Sequence, residues 1–226
     1  MTPGLYGKMP AHGDFVRRNL SEGFVSTWDR WAQAGLAAAR TEHDGGWASA
    51  WEAAPSWRFA LPAGACGPVP VAGVMVFSAD AVGRRFPLVL ASGLSEAAAS
   101  MPASMPAPAP QAPDDLLASI LGLPVGPEPG GATPTATVPT PGTVPAIPAA
   151  AWFDALEILA WQARDGQRDA DALASALAAI GNTPFPAAAD EVPERLGWWN
   201  RDAAWPVAAL PPAAEFHFLL AKGEAP

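Results

Sequence analysis

Between Trp57 and Leu90 the chain carries three short apolar runs, Trp57–Leu61, Val69–Phe77 and Phe86–Leu90, broken by glycine and proline. Apolar runs of this length with Gly/Pro boundaries are the pattern of buried strands. Two of them flank the one polar stretch with a dense charge pattern, Ser78-Ala79-Asp80-Ala81-Val82-Gly83-Arg84-Arg85. A charged turn between two such strands is either a solvated connection or a site.

Composition narrows the classes. The 226 residues are 50% hydrophobic and 15% charged, which fits one sizeable globular domain. Net charge is −9, against nucleic acid as the main partner. The charge is uneven: residues 1–85 hold eight basic and seven acidic groups, whereas residues 86–163 hold six acids and no Lys or Arg. Only the N-terminal part can present a basic patch. One cysteine, Cys66, precludes an intrachain disulfide and fits a reducing compartment. No signal-peptide core and no run of the ~18 apolar residues that a membrane span needs is present, so a cytoplasmic protein is expected. Three histidines without HExxH, CxxC or His-x-His spacing offer no metal site, and no Walker, Rossmann or G-x-S-x-G spacing occurs. Neither a cofactor nor a metal is expected.

Local patterns place the remaining elements. Leu5-Tyr6 and Asp14–Val16 are short extended candidates around a turn punctuated by Pro10 and Gly13. Ser21 has the position of a helix N-cap, and Phe24, Trp28, Trp31 and Gly35 share one face of a helix running to about Arg40. A shorter helix spans about Trp47–Ala54, stopping before Pro55. Residues 97–148 hold 13 of the 27 prolines and three charges, the composition of a low-complexity insertion, with a short helix at Asp114–Leu121. Trp152, Leu156, Leu159 and Ala163 mark an amphipathic helix closed by Asp165-Gly166. Asp169 or Asp171 opens another, with Leu173, Leu177 and Ile180 in one stripe. Gly197-Trp198-Trp199 and Phe216–Leu220 are strand or short-helix candidates.

Two charged clusters carry the possible chemistry. His12, Asp14, Arg17 and Arg18 lie within seven residues, the composition of an acid–base pair or of a solvated turn. Asp80, Arg84 and Arg85 flank Gly83, the makings of an anion- or acidic-peptide-binding corner or of a local ion pair. Cys66, among Gly and Pro, reads as a small packed residue rather than a nucleophile. Trp198-Trp199 could place one ring in the core and leave the other to a loop or a partner.

Four motifs in order carry a resemblance. LYGKMPAHGDFVRR opens the chain; Trp28-Asp29-Arg30-Trp31 follows on the first helix. Residues 55–68 read PSWRFALPAGACGP, and residues 73–88 read GVMVFSADAVGRRFPL. Together they resemble the TagF family of proteins associated with bacterial type VI secretion. The pattern is specific over residues 4–92, weak over 93–148 and modest over 149–220, where Trp198-Trp199 matches a WW motif. The family pattern places Ser or Thr after that pair; this chain has Asn200.

The resemblance implies a three-layer α/β/α sandwich with a mixed, partly antiparallel sheet, and one domain over residues 1–226. It implies a non-enzymatic, cytoplasmic, post-translational repressor of type VI secretion that acts through a forkhead-associated scaffold protein. Partner-binding candidates are Asp14, Arg17, Asp80, Arg84, Arg85, Trp198 and Trp199, with Arg85 expected exposed and Arg84 tied to Asp80. Rival classes are an enzyme or phospho-ligand-binding protein using His12, Asp14, Asp80, Arg84 and Arg85, and a structural component of the secretion assembly. The opener and the Ser78–Leu88 segment are expected to lie side by side.

Overall fold

A computed structural model of the chain describes residues 2–42, 45–94, 149–181 and 196–221. The proline-rich stretch 97–148 and the short helix expected at 114–121 lie outside the described residues, as does His43. Seven strands, β1 (Gly4–Gly7), β2 (Val16–Arg18), β3 (Trp57–Leu61), β4 (Val71–Ala79), β5 (Arg85–Gly93), β6 (Gly197–Trp199) and β7 (Ala204–Trp205), form one sheet. Their order is β2-β1-β5-β4-β3-β6-β7.

All six pairings are antiparallel, so the chain is of the α+β class and the mixed sheet expected above is corrected. The physical reason is in the connections. β4 and β5 are joined by a turn of residues 80–84 and pair from Val71↔Gly93 to Ala79↔Arg85. A short turn between paired strands forces them antiparallel, whereas parallel neighbours need a long crossover.

Apart from exposed Val69 and half-buried Arg58, the apolar runs are buried on both faces, as short runs without polar alternation require. Phe59, Leu61, Val71, Met75, Phe77 and Val89 enter one core. Ala60, Ala72, Val74, Val76, Leu88 and Leu90 enter a second. The first core is covered by α1 (Glu22–Glu42), α2 (Trp47–Ala53) and a 3-10 helix (Ala213–Leu220). The second is covered by α3 (Ala149–Arg164) and α4 (Ala170–Gly181).

The expected caps form. Ser21 Oγ accepts from Phe24 N–H at 3.2 Å, and Asp169 Oδ1 accepts from the N–H groups of Asp171 and Ala172 at 3.1 and 2.8 Å.

Aromatic side chains build the first core. Trp28, Trp51, Trp57 and Trp198 are fully buried, and Trp198 packs within 6 Å of Trp28, Trp31 and Phe59. A buried indole needs an acceptor for its N–H. Three find one in the C-terminal segment: Trp31 donates to Pro211 O, Trp57 to Leu219 O and Trp198 to Ala209 O, at 2.8–2.9 Å. These bonds fasten the segment over α1 and the sheet.

Gly35 of α1 lies directly against Phe216, and a Cβ there would overlap the phenyl ring and its Cβ. Alanine would ordinarily favour a helix by about 1 kcal/mol over glycine, but overpacking a core costs about 1–3 kcal/mol. Gly35→Ala should therefore lower the urea-unfolding free energy, by about 1 kcal/mol net. A variant as stable as the parent would show that the 3-10 helix moves aside at no cost.

Candidate functional site

The turn of residues 80–84 closes a hairpin whose strands expose almost nothing polar, and its chemistry centres on Asp80. The Asp80 side chain has no exposed surface. A carboxylate in that position must be paired and hydrogen-bonded. Its Oδ1 accepts from the N–H groups of Val82 (3.1 Å) and Arg84 (2.8 Å). Its Oδ2 accepts from Arg84 Nε (2.7 Å) and from Lys8 Nζ (2.9 Å), 72 residues away in sequence. Burial alone would raise the Asp80 pKa. The bonds from Lys8, from the backbone and side chain of Arg84 and from Val82 outweigh it and hold the carboxyl well below its ordinary 3.8. Gly83 takes a left-handed φ of 81° that lets the chain turn back.

The same lock fastens the opener. Arg84 Nη2 donates to Gly13 O, and Ala81 N–H donates to His12 O at 2.8 Å. Lys8 Nζ also lies 4.9 Å from the centre of the Phe15 ring, a cation–π contact. Phe15 in turn stacks on Tyr6 at 5.6 Å and meets Phe86 edge-on at 4.8 Å. The opener and the Ser78–Leu88 segment thus lie side by side, as expected.

The other candidates have separate places. His12 does not face a carboxylate; its Nε2 accepts from Ala170 N–H at 3.0 Å, at the start of α4. Asp14 is exposed and takes the N–H of Phe15 at 2.8 Å, without reaching Arg84 or Arg85. Arg17 donates to Leu20 O through Nε and Nη2 and pairs with Glu22, fixing the entry to α1. Arg18 pairs with Asp171 on α4.

The expected exposures of the two arginines are reversed. The Arg84 side chain is 58% exposed although tied to Asp80, whereas that of Arg85 is 29% exposed and 3.6 Å from Glu52 of α2. The reason is that Arg85 opens β5 and lies against α2, while Arg84 is still in the turn.

Trp198 lies in the first core and offers no surface, which corrects its place among the partner-binding candidates. Trp199 is half-buried, edge-on to Phe153 of α3 at 5.0 Å. Asn200 uses its side-chain oxygen to bind the N–H groups of Asp202 and Ala203, both at 2.8 Å, shaping the β6–β7 turn.

Further polar contacts escaped the sequence reading, and three of them involve buried or half-buried groups. Tyr6 OH donates to Asp29 Oδ1 at 2.7 Å, and burial together with that carboxylate pushes the phenol pKa up. Arg58 of β3 reaches Glu157 and Asp154 of α3, and Ser56 donates to the same glutamate. Burial lowers the Arg58 pKa, but the two carboxylates more than compensate and raise it. Lys8 is the third. A lysine between buried Leu5 and Met9 was the available signal, since an ammonium there demands a partner. Among the described residues no group of His, Cys, Asp and Glu could hold a metal ion. None of their helices is long and apolar enough to cross a membrane.

A family model described as the TagF N-terminal domain, type VI secretion system-associated, matches residues 4–119. The chain belongs to the TagF family. It is also similar to the crystal structure of PA0076 from Pseudomonas aeruginosa PAO1, with 26% identity and a TM-score of 0.64. That match covers 99% of this chain and 96% of the other. No curated protein matches. The TagF motifs acquire roles in this light: Tyr6 binds Asp29 of the WDRW motif, and Lys8 binds Asp80 of the segment ending in Val82-Gly83-Arg84.

Two outcomes follow for the TagF fold. The folded Asp80 carboxyl titrates below the unfolded one, so its stabilisation is complete above the ordinary carboxylate range and is lost as pH falls toward the lower folded value. Asp80→Asn should be less stable than the parent at pH 7, and the gap in urea midpoints should narrow between about pH 5 and about pH 2.5. A gap independent of pH would remove the carboxylate charge from the account.

Cys66 is buried, which pushes its thiol up to about 12. Iodoacetamide at pH 8 should therefore modify the native thiol at least ~100-fold more slowly than the urea-unfolded one. Comparable rates would show that the loop before β4 opens freely.

Proposed function

We propose that this TagF chain is a non-enzymatic regulator of type VI secretion: a cytoplasmic, post-translational repressor that works by binding a protein, a forkhead-associated scaffold of the apparatus. One observation carries the choice of binding over catalysis: the polar centre is closed on itself. Both Asp80 oxygens are taken by Lys8, Arg84 and Val82 donors, and His12 Nε2 is taken by Ala170 N–H. A general acid or base needs a titratable group near the operating pH and within reach of a substrate proton. The Asp80 carboxyl is held far below its ordinary pKa, and the His12 Nε2 lone pair is already taken by a backbone N–H rather than left open to a substrate. Family membership supplies the link to type VI secretion. The same reading takes the fold as a three-layer sandwich with helices outside, which the two separate cores support.

Removing the gene from its native host should raise export of a type VI-secreted protein, and overproduction should lower it, with levels of the apparatus components unchanged. Loss of export on removal would instead favour a structural component. Unchanged export in both strains would defeat the repressor reading.

A further inference from the structure

We propose that the locked pair of loops, through Phe15, Val82 and Arg84, is the surface with which this chain grips a partner protein that presents a carboxylate beside an apolar pocket. The inference rests on the reading above that the chain acts by binding a protein, and it names the site. Among the described residues the exposed large hydrophobic side chains are Phe15, Val69 and Val82, at 41%, 42% and 72%. Two of the three sit on the two loops that hydrogen-bond to each other. Phe15 packs against Tyr6, Phe86 and Lys8, which hold the ring in place while part of it stays open to solvent.

Arg84 is on the same pair of loops. Its Nε is bound to Asp80 and its Nη2 to Gly13 O, while Nη1 makes no hydrogen bond to any described residue. The guanidinium is therefore held still with a donor free. Rigid aromatic rings and arginines are the residues that dominate protein interfaces, and prior ordering reduces the entropy lost on binding.

Charge selects the partner. Arg17, Arg18 and Arg85 are paired with Glu22, Asp171 and Glu52. The Lys8–Asp80–Arg84 group keeps one net positive charge on a protein of net charge −9. The exposed Asp14 carboxylate is turned to its own backbone, at Phe15 N–H. A carboxylate is the group that meets a fixed guanidinium with a free N–H, and apolar side chains meet Phe15 and Val82.

The test titrates the purified full-length forkhead-associated scaffold protein of the same host against the intact chain and its variants, at low salt. Val82→Glu places a negative charge on a side chain exposed enough that the melting temperature should stay within about 2 °C. It should weaken binding at least tenfold, and Val82→Ser should weaken it less. Val69→Glu, two residues before β4 and at the opposite end of that strand from the turn, should bind like the parent. If the scaffold binds the parent and Val82→Glu equally, the surface is wrong and the reading of a scaffold-binding regulator stands. If the scaffold does not bind the parent at all, that reading fails and the proposal with it. A concentration-dependent dimer of the parent that Val82→Glu dissolves would also overturn the proposal, because a second copy would then cover the patch.

Discussion

Every residue of β4 from Val71 to Ser78 is buried, and so is every residue of β5 from Phe86 to Ser92. A strand pair of this kind has no face to give to water, and an isolated hairpin is barely stable. The chain must cover both sides, and it does so with two different materials. One side is aromatic: each tryptophan buries about 200 Å², and the indole N–H groups of Trp31, Trp57 and Trp198 reach carbonyls of the C-terminal segment. The other side is mainly aliphatic and rich in alanine, with Ala155, Ala160 and Ala163 of α3 fully buried beside Trp152 and Phe153. Small side chains bring that helix close to the sheet. The apolar hairpin thus dictates what the distant parts of the sequence have to be.

The same hairpin explains why so much polar chemistry gathers at one turn. At its tip the chain reverses over five residues, and the backbone N–H groups there have lost their strand partners. The Asp80 carboxylate takes two of them. Being buried, it also demands cations, and Lys8 is in place because β1 adds to the sheet beside β5 with Tyr6 opposite Val89. An ion pair removed from water gains little by itself against hydrophobic packing of the same volume. Its effect is on geometry: the opener and the turn are held in one arrangement.

Much of this was legible in residues 4–94 because the signals there are local. The run Trp57–Leu61 is β3 to the residue, and Ser21 and Asp169 cap helices as their positions predict. What was not legible depends on pairings between distant segments. The sequence places Arg84 and Arg85 side by side, and their exposures are decided by α2, whose Glu52 reaches one of them. Trp198 and Trp199 alternate across a strand, but which ring faces the aromatic core follows from the register Phe59↔Trp198. The salt link between Arg58 and α3 spans the stretch of least informative sequence, from residue 58 to residues 154 and 157. The antiparallel sense of β4 and β5 follows from their short turn, but that of β1 with β5 and of β3 with β6 depends on distant pairings that the resemblance to a family did not convey.

The motifs that carry the TagF resemblance spend their polar atoms on one another. Tyr6 is bound to Asp29, Lys8 to Asp80, and Arg84 to both Asp80 and Gly13. Such residues are required by folding alone, whatever the protein binds, so their presence in a motif does not make them contact residues. What the lock leaves open is part of the Phe15 ring, the tip at Val82 and one nitrogen of Arg84. Rigid loops with few free polar groups suit recognition better than chemistry, because recognition gains from groups that do not move, whereas proton transfer needs a group poised to change its charge. The Asp80 carboxyl, bonded through both oxygens and held well below its ordinary pKa, is not poised in that way.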